Sequence, residues 1–349
     1  MNLDNNPYVG DILSQADSLK NALQQFDPTP LQPLAARLRA GGFGRIILTG
    51  MGASFYAAYP IWLRLAQAGL PAFWVDTAEL LHYARPLITD DSLVWILSQS
   101  GRSAEIVALL DSLKGTPAVL LATVNDLESP LAQSAKAHLI PIYAEPELTV
   151  STRTYLNTLA VAQLAALVFI GEDVQRGWET LQSAAQSIAA YLADWKIHLE
   201  TIGALVPPPR TLVLLGRGAS LATACTGALI LSEASKVGAI ALQAGQFRHG
   251  PMELAGENLT ALLFAGAAQT RPLLERLHAD LIQYGARAIW VAPDGADQPD
   301  PRLPMPDTAG IALPLAEIIP IQLLTVHLAL QNGIEPGAFF HSGKVTLSE

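Results

Sequence analysis

One segment of this chain occurs twice, and this repeat constrains the fold more than any other feature. Arg45–Ser54 aligns with Thr211–Ser220 at an offset of 166 residues, and each copy is an apolar run that ends in Gly-x-Gly-Ala-Ser. At the same offset, the apolar run Leu93–Leu97 falls on Leu259–Leu263. Self-similarity of this kind predicts that one α/β unit has been duplicated.

Apolar strands alternate with helical segments in the first copy. Strands are predicted at Arg45–Thr49 and Leu93–Leu97, and helices at Phe55–Ala68 and Ala104–Leu113. Short apolar strands separated by helices are typical of a parallel sheet that is covered on both faces. We therefore expect an α/β fold with two duplicated domains, each a flavodoxin-like or Rossmann-like three-layer sandwich.

The domain boundaries are predicted from the repeat, from a long helical segment at Val174–Ile202 and from Pro207-Pro208-Pro209, a stiff hinge. The expected segments are an N-terminal helical segment at 1–34, a first α/β domain at 35–165, a helical linker at 166–208, a second α/β domain at 209–335 and a C-terminal tail at 336–349.

The charge of the chain restricts its partners. The formal net charge is −10, with 21 Lys and Arg against 31 Asp and Glu, which argues against a nucleic-acid partner. The same charge repels an anionic substrate at long range. Local donors, such as the N–H groups at a helix N-terminus, would therefore have to hold an anion.

Half of the residues are apolar, which raises the question of a membrane. Leu159–Ile170 is shorter than the roughly 20 residues that a span requires, and Ile311–Leu330 contains two prolines and Glu317. Buried helices or strands explain both segments better, so no membrane partner is expected. The N-terminus lacks signal-peptide features and Cys225 is the single cysteine, so a cytoplasmic location is expected. The apolar surface also suggests an oligomer.

A polar loop, Ser98-Gln99-Ser100-Gly101-Arg102-Ser103, follows the strand Leu93–Leu97 and opens a helix. Hydroxyls, an amide and backbone N–H groups at a helix N-terminus suit a phosphate. Ser54 would add a hydroxyl, and Ser151 and Thr152 would add two more from another side. The alternative is an ordinary helix cap. The second copy has the apolar Phe264–Ala268 at the equivalent position.

A carboxylate and a histidine distinguish the second copy. Glu233 lies in an apolar helical segment, and His249 lies in the turn Arg248–Pro251. If one strand–helix–loop unit brings them together, they form an acid/base pair, and burial would raise the pKa of Glu233. The structural alternatives are a pair between Glu233 and Lys236 and a turn-capping His249. We expect a single composite site per chain, between the two copies.

The Gly-x-Gly-x-Ser motif is not a dinucleotide fingerprint, because the third glycine is missing and no acid follows at the required distance. A nicotinamide cofactor is therefore disfavoured.

Taken in order, these motifs resemble the tandem sugar isomerase (SIS) domain family over nearly the whole chain. The matching segments are Gly50–Ser54, Ser98–Gly101, Ser151-Thr152, Gly216–Gly218, Leu231–Ser235, Gln246–Pro251 and Lys344–Thr346. Within that family the chain is similar to the isomerase half of glucosamine-6-phosphate synthase. It is also similar to stand-alone fructosamine-6-phosphate deglycases and aminosugar-phosphate deaminases.

The resemblance implies a role for each motif. The residues implied to bind a phosphorylated sugar or aminosugar are Ser54, Ser98, Gln99, Ser100 and Ser103 at the phosphate, and Gly52, Ala53, Ser151 and Thr152 elsewhere. Glu233 would move a proton between C1 and C2 of the open-chain sugar. His249, supplied by the other subunit of a homodimer, would open the ring, and Lys344 would close over the site. This chemistry requires no metal and no cofactor.

The chain also departs from the synthase pattern. A glutaminase half is absent, so amidotransfer from glutamine is not expected. Ile230 and Thr226 stand where the synthase has a lysine and a glutamate, which favours a deglycase- or deaminase-like use of Glu233. Arg102 stands where an acid is usual, and it is predicted to admit a substrate that carries a carboxylate.

Three functions remain open at this point. The presence of Glu233, His249 and Lys344 together favours an enzyme that acts on a phosphorylated ketosamine or aminosugar by deglycation, deamination or isomerisation. The alternatives are a non-catalytic sugar-phosphate sensor and a simple aldose–ketose phosphate isomerase.

Overall fold

The computed structural model describes residues 2–135, 137–298, 300–341 and 343–346. The chain divides into two compact units, each assembled from separate segments. The first-sheet unit comprises Ser18–Pro146, Arg153–Leu181 and His341–Glu349; the second-sheet unit comprises Met1–Asp17, Glu147–Thr152 and Gln182–Phe340. The five predicted segments stay a prediction, and parts of four of them (Met1, Lys136, Pro299, Ser342 and 347–349) lie outside the described residues.

Helices and strands alternate along most of the chain. The helices are α1 (Pro7–Leu13), α2 (Gln15–Gln25), α3 (Gln32–Arg39), α4 (Gly52–Gln67), α5 (Thr77–His82), α6 (Ala104–Leu113), α7 (Pro130–Ser134), α8 (Arg153–Ile170), α9 (Val174–Ala193), α10 (Trp195–Leu205), α11 (Ser220–Ile230), α12 (Ala244–Phe247), α13 (Arg271–Gln283) and α14 (Leu313–Gln331). The strands are β1 (Arg45–Thr49), β2 (Ala72–Trp74), β3 (Ser92–Ser98), β4 (Val119–Val124), β5 (Leu139–Pro141), β6 (Thr211–Gly216), β7 (Ala239–Gln243), β8 (Leu259–Phe264), β9 (Arg287–Pro293) and β10 (Arg302–Met305).

The two sheets share one topology. The first has the strand order β2-β1-β3-β4-β5 and the second has β7-β6-β8-β9-β10, and the paired strands are parallel in both. This order, 2-1-3-4-5, is that of flavodoxin-like folds, in which the chain reverses direction between the first and third strands. The predicted fold class, two parallel α/β sheets of the same kind, is confirmed.

The first sheet is covered on both faces because its apolar residues alternate in direction along each strand. Ile46, Leu48 and Trp95 belong to a core shared with α3, α4 and α8. Their neighbours Ile47 and Val94 belong to a second core shared with α5, α6 and α7. These two apolar layers hold the carboxyl ends of β1 and β3 in fixed register.

The second sheet is packed in the same way. Val213 and Trp290 belong to a core with α12 and α13. On the other face α11 approaches closely, since a Cβ at Gly227 would lie 2.6 Å from the Leu214 side chain and 3.1 Å from that of Ile321 in α14. A glycine is therefore required for this helix to pack on both neighbours.

Among the described residues, two helices have the length and composition of membrane spans, Arg153–Ile170 and Gly310–Gln331. In both, most of the residues are buried inside the protein: 94% of the first apolar window and 83% of the second. Burial of this extent is typical of core helices. It agrees with the prediction that the two apolar segments are buried elements.

The long helical segment predicted at Val174–Ile202 is helical in the structure, but it consists of two helices. α9 ends at Ala193 and α10 begins at Trp195, with Asp194 between them at φ −104° and ψ 24°. No glycine or proline marks the break, so the apolar periodicity alone could not reveal it.

Candidate functional site

The polar loop Ser98–Ser103 lies at the carboxyl edge of the first sheet. Ser98 ends β3, and Ser103 is the N-cap residue of α6. β1 and β3 are adjacent, so the turn that leads from β1 into α4 emerges beside this loop. A Cβ at Gly50 would lie 2.7 Å from the Leu97 carbonyl oxygen, which brings the two backbones together. The site is the topological switch point, where open parallel sheets bind ligands.

Hydroxyl groups organise this loop internally. The Ser98 Oγ accepts a hydrogen bond from the Gly101 N–H at 3.1 Å, and the Ser100 Oγ accepts one from the Arg102 N–H at 3.2 Å. Each hydroxyl keeps its own hydrogen for another acceptor. Within the described residues, the Ser103 side chain makes no capping bond to α6. Three hydroxyl donors are thus gathered at one helix N-terminus.

Gly101 allows the loop to turn back on itself. Its φ is +60°, and a Cβ there would overlap the Ser129 hydroxyl and lie 3.0 Å from the Leu131 Cβ. Both the left-handed backbone and the close contact require glycine. The loop is therefore held against the start of α7 rather than open to solvent on that side.

The turn after β1 contributes the neighbouring part of the site. Gly52 begins α4 at φ +52°, and its counterpart in the second copy, Gly218, has φ +56°. Ala53 and Ser54 are half-buried in the first turn of α4, where the Ser54 N–H donates to the Met51 carbonyl at 3.2 Å. The second glycine of the repeated motif thus has a left-handed backbone in both copies.

The C-terminal tail reaches the same loop. The Ala104 N–H, at the first position of α6, donates to the Thr346 carbonyl at 3.1 Å. Lys344 stands two residues earlier and is half-buried. The structure therefore brings Lys344 into the neighbourhood of the Ser98–Ser103 loop. One of the N-terminal N–H groups of α6 is bonded to the tail and is not available to a ligand.

Arg102 already has protein partners. Its Nε donates to the Asp126 carboxylate at 2.8 Å, and its Nη2 donates to the Glu128 carbonyl at 3.1 Å. This bond from Arg102 lowers the pKa of Asp126. The charge that was predicted to admit a substrate carboxylate is thus already paired with Asp126.

Ser151 and Thr152 belong to the second-sheet unit. Thr152 is buried, and both its N–H and its hydroxyl donate to the Glu147 Oε1, at 2.9 and 2.8 Å. The Thr152 hydroxyl can therefore offer a ligand only its lone pairs. Ser151 is half-buried, and its predicted contact with substrate stays a prediction.

Glu233 lies in a π-helical turn, Leu231–Ser235, that follows α11. The side chain is half-buried, whereas the apolar sequence around it predicted deeper burial. Lys236 ends the turn at φ +58°, and its Nζ donates to the Glu233 and Ala338 carbonyls. π-helical turns are frequent at functional sites because they re-aim a side chain.

His249 is exposed in the turn that follows α12. The turn is anchored where it leaves α12: Phe247 is fully buried, and the Arg248 guanidinium lies 2.6 Å from the Asp280 carboxylate. The His249 N–H donates to the Gln246 carbonyl at 2.9 Å. A rigid turn therefore presents the imidazole outward.

One chain does not bring Glu233 and His249 together as the sequence suggested. α11 begins after the carboxyl end of β6 and leads to the amino end of β7, so Glu233 lies near the amino edge of the second sheet. His249 follows the carboxyl end of β7, at the opposite edge. β7 has five residues, which at about 3.3 Å per residue separates the edges by roughly 16 Å.

Sequence reasoning missed Arg217, which follows β6 in the second copy of the repeated motif. Its Nε is buried and has no hydrogen-bond partner in the part of the chain that the structure describes. Burial, together with the nearby charge of Arg248, lowers the pKa of Arg217. The position of this arginine within the Gly216–Gly218 motif was the available signal.

Comparison with known proteins agrees with this architecture. The chain is 28% identical over 338 residues to the glutamine–fructose-6-phosphate aminotransferase (isomerizing) of Pyrococcus horikoshii, which covers 93% of this chain and 55% of the relative. The chain thus spans about half the length of the curated relatives it matches.

Two solved structures share the fold over nearly the whole chain. Glucosamine-6-phosphate deaminase from Thermotoga maritima has a TM-score of 0.78 at 19% identity, covering 97% of this chain and 99% of its own. Tagatose-6-phosphate ketose/aldose isomerase from Escherichia coli has a TM-score of 0.81 at 20% identity, covering 97% and 98%. Residues 43–168, which contain the Ser98–Ser103 loop, match the family profile described as "SIS domain". This segment therefore belongs to the SIS-domain family.

Proposed function

We propose that this protein is a phosphosugar enzyme that acts on a phosphorylated ketosamine or aminosugar by moving a proton between C1 and C2. The observation that carries the proposal is the Ser98–Ser103 loop, which gathers hydroxyl donors at the switch point of the first sheet while the tail with Lys344 is bonded to the same helix. The relative and the two solved structures are named for activities on phosphorylated sugars or aminosugars, which supports this substrate class.

Phosphate binding is the first step. Ser98, Ser100 and Ser103 donate their hydroxyl hydrogens to the phosphate oxygens, and Ser54 and Gln99 complete the shell. With a net charge of −10, the chain provides no general attraction for an anion, so affinity comes from these local donors and from the start of α6. The phosphate anchors the substrate and leaves its other end for chemistry.

Glu233 then acts as the base. With a 2-amino aldose, its carboxylate takes the proton from C2 to give an enolamine and returns it to C1, leaving an imine at C2. Addition of water to this imine releases ammonia and the ketose phosphate. With a ketosamine the proton moves from C1 to C2, and hydrolysis of the C1 imine releases the amine and the aldose phosphate. One base serves both carbons because they are adjacent.

His249 opens the sugar ring, and a second copy of the chain supplies it. Two observations support this assignment: His249 is exposed on a rigid turn, and it lies at the opposite edge of the second sheet from Glu233 in its own chain. Lys344 closes over the substrate from the tail and contacts its carbonyl oxygen.

The test is to assay purified protein with glucosamine 6-phosphate and fructosamine 6-phosphate, following both amine release and sugar-phosphate products. E233Q should still bind the sugar phosphate but lose turnover by a factor on the order of 10²–10⁴. S98A/S100A should instead lose binding. E253Q, which changes an exposed glutamate in the turn after His249, is the matched control and should keep full activity.

Full turnover in E233Q would exclude the assigned base. Interconversion of sugar phosphates without amine release would identify a simple aldose–ketose isomerase, which the likeness to the tagatose-6-phosphate enzyme favours as the second candidate. Tight binding without turnover of either substrate in the wild-type protein would identify a sensor and refute the enzymatic proposal.

A further inference from the structure

The second sheet carries a cavity at its own switch point. The cavity measures about 560 Å³, and its walls come from the segments that follow β6 and β8, from the carboxyl ends of β9 and β10 with the segments that follow them, and from the start of α14. This volume lies within the range of about 300–1,000 Å³ typical of small-molecule sites. The cavity occupies the position in the second sheet that the Ser98–Ser103 loop occupies in the first.

Gln298 lines this cavity with an amide that lacks partners. The residue is 3% exposed, and both its side-chain oxygen and nitrogen are buried without a hydrogen-bond partner among the described residues. Leaving a buried amide unsatisfied costs free energy, so such groups normally meet a partner. A ligand in the cavity would provide one, with a donor for the oxygen and an acceptor for the nitrogen.

Arg271 supplies positive charge to the same cavity. It is the first residue of α13, a helix of 13 residues. Its Nη2 donates to the Gly266 carbonyl at 3.5 Å, whereas its Nε is buried and lacks a partner across the described part of the chain. The guanidinium and the positive end of the helix dipole therefore both favour an anionic group.

Other lining groups narrow the choice of ligand. Ala265, Ala267 and Ala268 give the cavity an apolar wall, and Asp294 and Asp307 are exposed in its lining. The two aspartates oppose a ligand with several negative groups. A compact molecule with one anionic group and adjacent hydroxyls satisfies Arg271 and both atoms of the Gln298 amide, because each hydroxyl can donate and accept.

We propose that this cavity is a second ligand site, which takes a hydroxylated organic anion of sugar size and holds it through Arg271 and Gln298. The anionic group is a phosphate ester or a carboxylate, as in a sugar phosphate or a sugar acid. The site belongs to the second sheet and does not depend on the function proposed for the Ser98–Ser103 loop.

The experiment is calorimetric titration of the full chain with fructose 6-phosphate, with gluconate and with the neutral polyol sorbitol. S98A/S100A serves as the parent protein, so that binding at the first-sheet loop is removed from the measurement. We expect the parent to bind fructose 6-phosphate or gluconate at one equivalent per chain and to show no heat with sorbitol. The two anions separate a phosphate-selective site from a carboxylate-selective site.

Substitutions in the cavity should then abolish or weaken that binding. R271A and Q298A, each added to the parent, should weaken it at least about tenfold. R276A and Q283A are the matched controls, since Arg276 and Gln283 are exposed on α13 and do not line the cavity, and they should leave binding unchanged. Thermal unfolding of each variant shows whether it is folded. If R271A or Q298A lacks the native thermal transition, R271K or Q298M is used in its place.

Two results would overturn the proposal: no binding of either anion to the S98A/S100A parent, or binding that R271A and Q298A leave intact. If the Ser98–Ser103 loop does not bind the sugar phosphate, the titration gives a different result. In that case S98A/S100A would bind as many equivalents of fructose 6-phosphate as the wild-type chain, and the cavity variants would still report on the second site.

Discussion

Glu317 is a carboxyl group that the fold removes from water. It is 1% exposed in α14, and it accepts hydrogen bonds from the Ser220 hydroxyl at 2.7 Å and from the Thr223 hydroxyl at 3.0 Å. Burial raises the pKa of Glu317 to about 8, although the two hydroxyl donors lower it in part. The group is therefore mostly protonated at neutral pH, so it places no charge in the core.

We expect E317Q to remove a pH-dependent loss of stability. The folded chain keeps a proton on Glu317 that the unfolded chain loses above the ordinary pKa of 4.5, so rising pH favours unfolding until it passes about 8. E317Q should match the wild type near pH 5 and melt at least about 2–4 °C higher near pH 9. Thermal unfolding across this range measures the difference.

The control for this comparison is E275Q, which neutralises an exposed glutamate on α13 and should leave the pH dependence as it is. Other groups also titrate in this range, including His278, whose pKa burial lowers. The difference between E317Q and the wild type is therefore the quantity to compare. Parallel melting curves at all pH values would contradict the assignment.

The first turn of α6 depends on a segment from the other end of the sequence. The first N–H groups of a helix have no partner within the helix, and here the Ala104 N–H is bonded to the Thr346 carbonyl. The tail therefore serves both as a cap for α6 and as the carrier of Lys344. These two roles can be separated by experiment.

Removal of residues 343–349 should impair both roles, whereas K344M should impair only one. We expect K344M to lower kcat by at least about tenfold with little change in KM, because the tail still caps α6. The deletion should lower kcat as far and also raise KM for the sugar phosphate. Steady-state kinetics of both variants, with amine release as the signal, make the comparison.

K114M is the matched control, since Lys114 follows the other end of α6 and is exposed in a surface ion pair with Asp111. It should keep wild-type kinetics. If the deletion turned over substrate like the full chain, the tail would have no part in the site. If K344M and the deletion changed kcat and KM by equal amounts, the whole effect of the tail would come from Lys344. The bond that caps α6 would then contribute nothing to turnover or binding.

Elements with strong local signals were predictable from the sequence. β1 and α6 have the predicted bounds, because an apolar run before a glycine turn and an apolar period after a serine cap specify them locally. β7 was not predicted as a strand, since its residues are half-buried or exposed and lack a clear alternation. The break at Asp194 was missed for a similar reason.

Some candidate site residues could also be predicted from the sequence, and others could not. The Ser98–Ser103 loop was found because its groups are contiguous in the sequence. Gln298 and Arg271 were missed because they belong to separate segments of the sequence, which only the strand order of the second sheet brings to one cavity. Glu317 had a signal, an acid within a long apolar run, that was used only to argue against a membrane span.

At the scale of the whole molecule, the chain has two sheets with the same strand order but different chemistry at equivalent edges. The first sheet has a hydroxyl-rich loop after β3, and the second has an apolar segment, a cavity and an arginine after β8. Glu233 and His249 lie at opposite edges of the second sheet. The proposal that both act in one site therefore requires a second chain, and in a two-fold dimer each chain would receive the histidine of its partner.

Mixing two inactive variants tests this arrangement. E233Q keeps its histidine and H249A keeps its glutamate, so a mixed dimer contains one site with both groups intact. Random exchange of subunits makes half of the dimers mixed, and the mixture should recover about a quarter of wild-type activity, although neither variant is active alone. Activity is measured after the subunits have been dissociated and reassociated together.

As a control, each variant taken alone through the same treatment should stay inactive. A mixture that stays inactive, while wild-type chains treated in the same way regain activity, would show that Glu233 and His249 act within one chain or do not act together.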